Sequence, residues 1–196
     1  SIRQRMEHPR WVGILAYAMH GNPPALEVDP YVAALVATNL TKGLPFRQRL
    51  TGWAEKARLV GVYEYYGVYT WWRAMPRKQK LANLDLLKKT IPEYHRLGAR
   101  VMCGESGNSW GPNGLGFYVA SRLLWDVEAA GRIERIVDDF LRKAFGPAAG
   151  TMGRFYEFID GGQKQVGSAK AYQESLDHMT PMLLQARRQA IMAGRE

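Results

Sequence analysis

Four short apolar runs, each closed by a polar or glycine-containing loop, constrain this chain more than any other feature. They cover residues 11–19, 31–38, 59–66 and 99–103. Runs of this length, rich in Val and Tyr and bounded by Gly, Pro and Asn, read as buried strands. After the second run, Phe46, Leu50, Trp53, Ala54 and Ala57 fall at helical spacing. After the third, Leu84, Leu87, Lys88 and Ile91 predict a helix within 81–97 that Pro92 interrupts or kinks and Gly98 closes. Strands alternating with helices predict parallel βαβ units.

From Leu115 the period becomes helical and stays so. Val119, Leu123, Leu124 and Val127 form one apolar face; Ile133, Ile136, Val137, Phe140 and Leu141 form the next. Gly146 and Pro147 end that helix. Met152, Phe155, Tyr156 and Ile159 mark another, stopping at Gly161 and Gly162. The last helix covers about 168–193, with an interruption expected at Pro181. The expected division is a partial (β/α) barrel over 1–113 and a helical region over 114–196. Four strands cannot close an eight-stranded barrel, which takes about 250 residues. The alternatives are a small open sheet or a piece of a larger barrel.

Composition sets limits on function. Hydrophobic residues make up 46% and charged residues 23% of the 196, which suits a packed domain and argues against bulk disorder. No apolar run approaches the ~20 residues that cross a bilayer, and residues 1–10 hold no apolar signal core. The net charge of +9 sits in the first hundred residues, with 16 Lys and Arg against 7 Asp and Glu there and 11 of each afterwards. The excess is spread out, densest at Arg73, Arg77, Lys78 and Lys80. No nucleic-acid motif accompanies it, so a solvated surface is the expected reading and a nucleic-acid partner is not expected. The single cysteine, Cys103, excludes an internal disulfide and reads as a small core residue. The four His lack the paired spacing of a zinc site, and neither a P-loop, a dinucleotide fingerprint nor a nucleophile elbow is present. No metal and no cofactor are expected.

Functional groups in parallel α/β folds collect beyond the carboxyl ends of the strands. There the first strand delivers Tyr17 and His20, and the second Asn39. The third delivers Glu64, Tyr65 and Tyr66, followed by Trp71 and Trp72. The fourth is followed by a polar loop over 104–112 with Glu105, Asn108 and Trp110. Carboxylates, amides and aromatic rings on one rim suit an oligo- or polysaccharide. Acids can protonate or stabilise a glycosidic bond, and flat rings cover the apolar face of a sugar. Glu64 and Glu105 are the candidate catalytic pair; the other named residues are candidates for substrate binding. Each has a structural alternative: Glu64 as a strand-end carboxylate paired with an arginine, the Trp71–Trp72 pair as a hydrophobic plug, His20 as a loop histidine.

Two further segments carry a resemblance. One is Gly114-Leu115-Gly116-Phe117-Tyr118-Val119-Ala120-Ser121-Arg122-Leu123-Leu124-Trp125-Asp126. The other is Ala144-Phe145-Gly146-Pro147-Ala148-Ala149 with Met152, Phe155 and Tyr156 after it. With Tyr63-Glu64-Tyr65-Tyr66 upstream, residues 11–160 resemble a bacterial domain-of-unknown-function family of glycoside-hydrolase-like proteins. That family is similar to α-glucuronidase-like and hexosaminidase-like barrels. The resemblance implies a (β/α)8 catalytic domain with a helical extension, of which the four strands would be the last four. It implies glycoside hydrolysis by paired carboxylates, the acid in related barrels often lying on a middle strand upstream of Ser1. A non-catalytic glycan-binding or scaffold module is the alternative. The fragment reading predicts exposed strand edges that seek the missing barrel half or a second copy. The sequence assigns no compartment; the resemblance implies a secreted or periplasmic parent protein. Trp125 is expected to pack beneath the barrel and Asp126 to cap the helix that follows.

Overall fold

The computed structural model describes residues 10–68, 80–107, 110–160 and 168–194. It is a mixed α/β structure whose four strands form one sheet in the order β1-β2-β3-β4. The strands are β1 (Val12–Ala18), β2 (Val32–Thr41), β3 (Leu59–Gly67) and β4 (Val101–Ser106). Strand β1 pairs parallel with β2, Val12 opposite Val32, and β2 pairs parallel with β3, Ala33 opposite Leu59. The backbone divides into two compact units. Among the described residues, the first holds 10–65 and 93–105, and the second holds 66–68, 80–92, 106–107, 110–160 and 168–194.

In the first unit, helix α1 (Phe46–Lys56) joins β2 to β3, and the last turn of helix α2 (Leu84–Arg96) precedes β4. Strand side chains alternate between faces, and the even-numbered ones meet these helices. Ala34, Val36, Val60 and Val62 form a core with Leu50, Trp53, Ala57 and Tyr94, with Met102 packed at its edge. The odd-numbered face differs. Leu15 is 43% exposed, Leu35 is half-buried and Cys103 is exposed. The small-core-residue expectation for Cys103 therefore fails. The apolar run around it was read correctly as a strand, but this strand buries one face, and Cys103 stands on the other. Gly61 is required on that face, because a Cβ there would lie 2.5 Å from the Val101 carbonyl oxygen and 2.7 Å from Leu35 Cδ2.

The connection from β1 to β2 has no helix. It is tied to α1 instead: the Trp53 indole N–H donates to Gly21 O at 3.0 Å, and Lys56 pairs with Glu27 at 2.7 Å. At the rim, Ala18 (φ 50°) and Leu40 (φ 56°) adopt left-handed backbone, beside a register shift between β1 and β2. Such conformations cost non-glycine residues about 1–2 kcal/mol each, so strain is concentrated at the carboxyl ends of these strands.

The second unit is helical. It contains the start of α2, then α3 (Trp110–Trp125), α4 (Ile133–Phe145), α5 (Ala149–Asp160) and α6 (Ala169–Met192). Several boundaries differ from those expected. Strand β4 takes in Gly104, Glu105 and Ser106, and helix α3 already begins at Trp110. Both prolines expected to break helices lie inside them, Pro92 in α2 and Pro181 in α6. Burial of Leu87, Ile91 and Tyr94 along α2 outweighs the local cost of the ring there. Asp126 caps the 3-10 turn Val127–Arg132 as expected, its Oδ1 accepting from the Glu128 N–H at 3.0 Å. Trp125, expected to pack inside, is 92% exposed. Leu123 fills the core at 0% exposure, and a residue two positions along a helix points away from it.

Candidate functional site

The rim acids separate by face. Glu64 is buried at 3% exposure on the helix-covered side. Its Oε1 accepts from the Thr38 hydroxyl at 2.7 Å and from the Tyr65 N–H at 2.8 Å, and its Oε2 accepts from the Tyr94 hydroxyl at 3.0 Å. Thr38 follows Ala37, which pairs with Tyr63, so Thr38 and Glu64 share the even face. These bonds to two hydroxyls and a backbone amide make Glu64 a junction between β2, β3 and α2.

Glu105 stands on the odd face. Its Oε2 accepts from the Tyr63 hydroxyl at 3.0 Å. The Tyr63 and Tyr65 rings meet edge to face, 5.3 Å apart at 72°. Burial pushes the Tyr65 phenol up to about 12, with further contributions from Tyr17, Tyr63, Glu105 and Glu64. Burial and the hydrogen bond to Glu105 also raise Tyr63. Tyr17, Tyr63, Tyr65 and Glu105 thus gather at the carboxyl ends of β1, β3 and β4. Among the described residues Glu105 Oε1 has no recorded hydrogen bond. The arrangement offers one half-exposed carboxylate acceptor beside aromatic surface, a combination that can hold a hydroxylated ring.

The remaining expected site residues scatter. Tyr66 is buried at 5% exposure on the even side of β3. Asn39 is exposed and spends its Oδ1 on the Leu40 N–H at 2.8 Å, supporting the left-handed turn there. His20 lies in an exposed turn, its backbone N–H bonded to Tyr17 O. Trp110 belongs to the helical unit, 64% exposed and stacked on Phe117 at 4.3 Å. Trp71, Trp72 and Asn108 lie outside the described residues, as does the basic group from Arg73 to Lys78.

Other residues organise this region without having been singled out. Tyr63 belongs to the segment Tyr63-Glu64-Tyr65-Tyr66, and strand alternation with Tyr65 places it on the Glu105 face. Arg49, 3% exposed, donates from Nη1 to Ala37 O at 2.9 Å and from Nε to Leu44 O at 3.0 Å. Burial lowers its pKa. No pattern marks a buried arginine of this kind, since its partners are backbone carbonyls.

Among the described residues no group of three or more His, Cys, Asp or Glu is placed to hold a metal ion. No helix among them is long and apolar enough to cross a membrane. Residues 3–157 match a protein family described as a domain of unknown function, DUF4838. No curated protein and no solved structure matches the chain.

Proposed function

The chain belongs to the DUF4838 family, and from that premise we propose that its sheet is a segment of a glycoside-hydrolase-like (β/α)8 barrel that binds glycan at Glu105. Parallel sheets are ordinarily covered on both faces. Here one face meets α1 and α2, while the odd-numbered face carries Leu15, Leu35, Tyr63, Tyr65 and Cys103. In a barrel that second face would be the inner surface, and its carboxyl-terminal end would be the mouth where substrates bind.

The observation that carries the reading is the Tyr63–Glu105 hydrogen bond beside Tyr65 on this face. Hydrolysis by Glu64 with Glu105 is not part of the proposal, because carboxylates on opposite faces of a sheet cannot flank one glycosidic bond. Within the sheet unit's described residues, Glu27 pairs with Lys56, Glu93 pairs with Arg47, and Asp29 accepts from the Tyr31 N–H. Glu105 stands with Tyr63 and Tyr65 on the odd-numbered face, in the role of a hydrogen-bond acceptor for sugar hydroxyls.

The test is calorimetric titration of the full chain with neutral tri- and tetrasaccharides of glucose, xylose and N-acetylglucosamine. The reading expects saturable binding of at least one, weakened tenfold or more by Glu105→Gln and less by Tyr63→Phe. Absence of binding across the panel, or binding that ignores Glu105→Gln, refutes it.

A further inference from the structure

The helical unit contains a cleft of about 440 Å³ between the end of α3, the 3-10 turn after it and one face of α4. Five cations and two carboxylates line it. Three of the cations are engaged: Arg132 with Asp126 at 3.0 Å, Arg142 with Asp138 at 3.0 Å, and Lys143 with Asp139 at 2.8 Å. Arg122 and Arg135, both exposed, have no recorded ion pair or hydrogen bond among the described residues. Arg122 is close enough to Lys143 and Tyr118 to oppose the upward shift of each. Like charges are therefore crowded here, with two guanidinium groups left open.

Trp125 lies on the same cleft and is 92% exposed. A bare indole beside open guanidinium groups supplies a stacking surface and a fork for an oxyanion. The carboxylates decide between classes of anion. Asp126 and Asp139 oppose every anion alike, but their lone pairs can accept from hydroxyl groups, which a saccharide carries along its length and a DNA phosphodiester chain lacks. A cleft of this volume also has the dimensions of a small-ligand site.

We propose that this cleft binds an anionic saccharide. Arg122 and Arg135 take its carboxylate or sulfate, Trp125 covers a ring face, and Asp126 and Asp139 accept from its hydroxyls. The inference does not depend on the sheet site, because all its residues lie in the helical unit.

The experiment titrates the full chain with four probes at low and moderate salt: trigalacturonate, a sulfated galactose tetrasaccharide, maltotriose and oligothymidylate. At least one of the two anionic saccharides is expected to bind saturably, the better binder identifying carboxylate or sulfate as the recognised group. The double variant Arg122→Gln/Arg135→Gln and the single variant Trp125→Ala are each expected to weaken that binding tenfold or more. Binding that involves Glu105→Gln alone belongs to the sheet site and leaves this cleft without support. The proposal is overturned if neither anionic saccharide binds, if the cleft variants bind them as the parent does, or if maltotriose binds equally well and the cleft variants weaken that binding too. It is also overturned if oligothymidylate binds more tightly than both saccharides, which would assign the cleft to phosphate. All three substituted residues are exposed, so circular dichroism should show unchanged folding.

Discussion

Tyr94 donates its hydroxyl to Oε2 of Glu64 across 3.0 Å, and both residues are buried. A helix is thereby tied to the carboxyl end of a central strand through a carboxylate that also holds Thr38 and the Tyr65 N–H. Glu64→Ala should leave all three donors without this acceptor, costing about 3 kcal/mol or more. Glu64→Gln keeps one acceptor oxygen and should cost roughly half as much. Urea midpoints at constant slope measure both. A loss below about 1 kcal/mol for Glu64→Ala would show that the carboxylate does not organise the junction.

The separation of Glu64 from Glu105 shows where sequence reasoning reached its limit. Alternation along β3 puts Glu64 opposite Tyr63 and Tyr65, and that much is legible from a period of two. Assigning Glu105 to a face needs a contact across strands, seen in the Tyr63 hydroxyl bonded to Glu105 Oε2. No local pattern encodes such a pairing. The four strands were visible because their apolar runs are short and sharply bounded, and α1 and α4 because their apolar positions repeat at helical spacing. The end of β4 was not, because Gly104, Glu105 and Ser106 look like loop residues while continuing the strand. Trp125 and Cys103 were misplaced for one common reason: each apolar character was taken for burial, whereas the element buries its other side.

Buried phenols should make the fold sensitive to alkali. Burial holds Tyr65 and Tyr156 at about 12, against 10.0 for an ordinary phenol. Their folded values are raised, so the unfolded chain loses these protons first. The stabilisation is complete below pH 10 and is lost as pH rises from 10 to 12. Each could account for up to roughly 3 kcal/mol over that range. Tyr156→Phe and Tyr65→Phe should each flatten the fall, and absorbance titration at 295 nm should lose a component near 12. A fall of unchanged steepness in both variants would mean that other groups drive alkaline unfolding.

Arg49 should behave as a structural cation. It spans from α1 to the Ala37 carbonyl on β2 and the Leu44 carbonyl, and its guanidinium lies 5.6 Å from the Phe46 ring centre. Arg49→Lys cannot reproduce two directed donors from one planar fork. It should cost about 1–2 kcal/mol, and Arg49→Ala about 2–3 kcal/mol. Thermal denaturation separates the two, and equal stability of Arg49→Lys and the parent would contradict a role based on geometry.

Asp160 offers a test in which charge and hydrogen bonding act in opposite directions. Its Oδ1 accepts from the Leu84 N–H at 2.8 Å, satisfying a donor at the start of α2. Burial raises its carboxyl pKa, opposed by that hydrogen bond and reinforced by Asp85. A carboxyl raised on folding favours the folded state while protonated, and this benefit is lost as pH rises through the folded value. Asp160→Asn keeps an oxygen for Leu84 and removes the charge, so it should exceed the parent in stability at pH 7. The advantage should shrink as pH falls and the parent carboxyl becomes neutral. Asp160→Ala, with neither charge nor acceptor, should stand about 1 kcal/mol below Asp160→Asn at any pH. Denaturation midpoints at pH 3 and pH 7 check the pair of variants. If Asp160→Asn is no better at pH 7 than at pH 3, the hydrogen bond to Leu84 outweighs the burial of the charge.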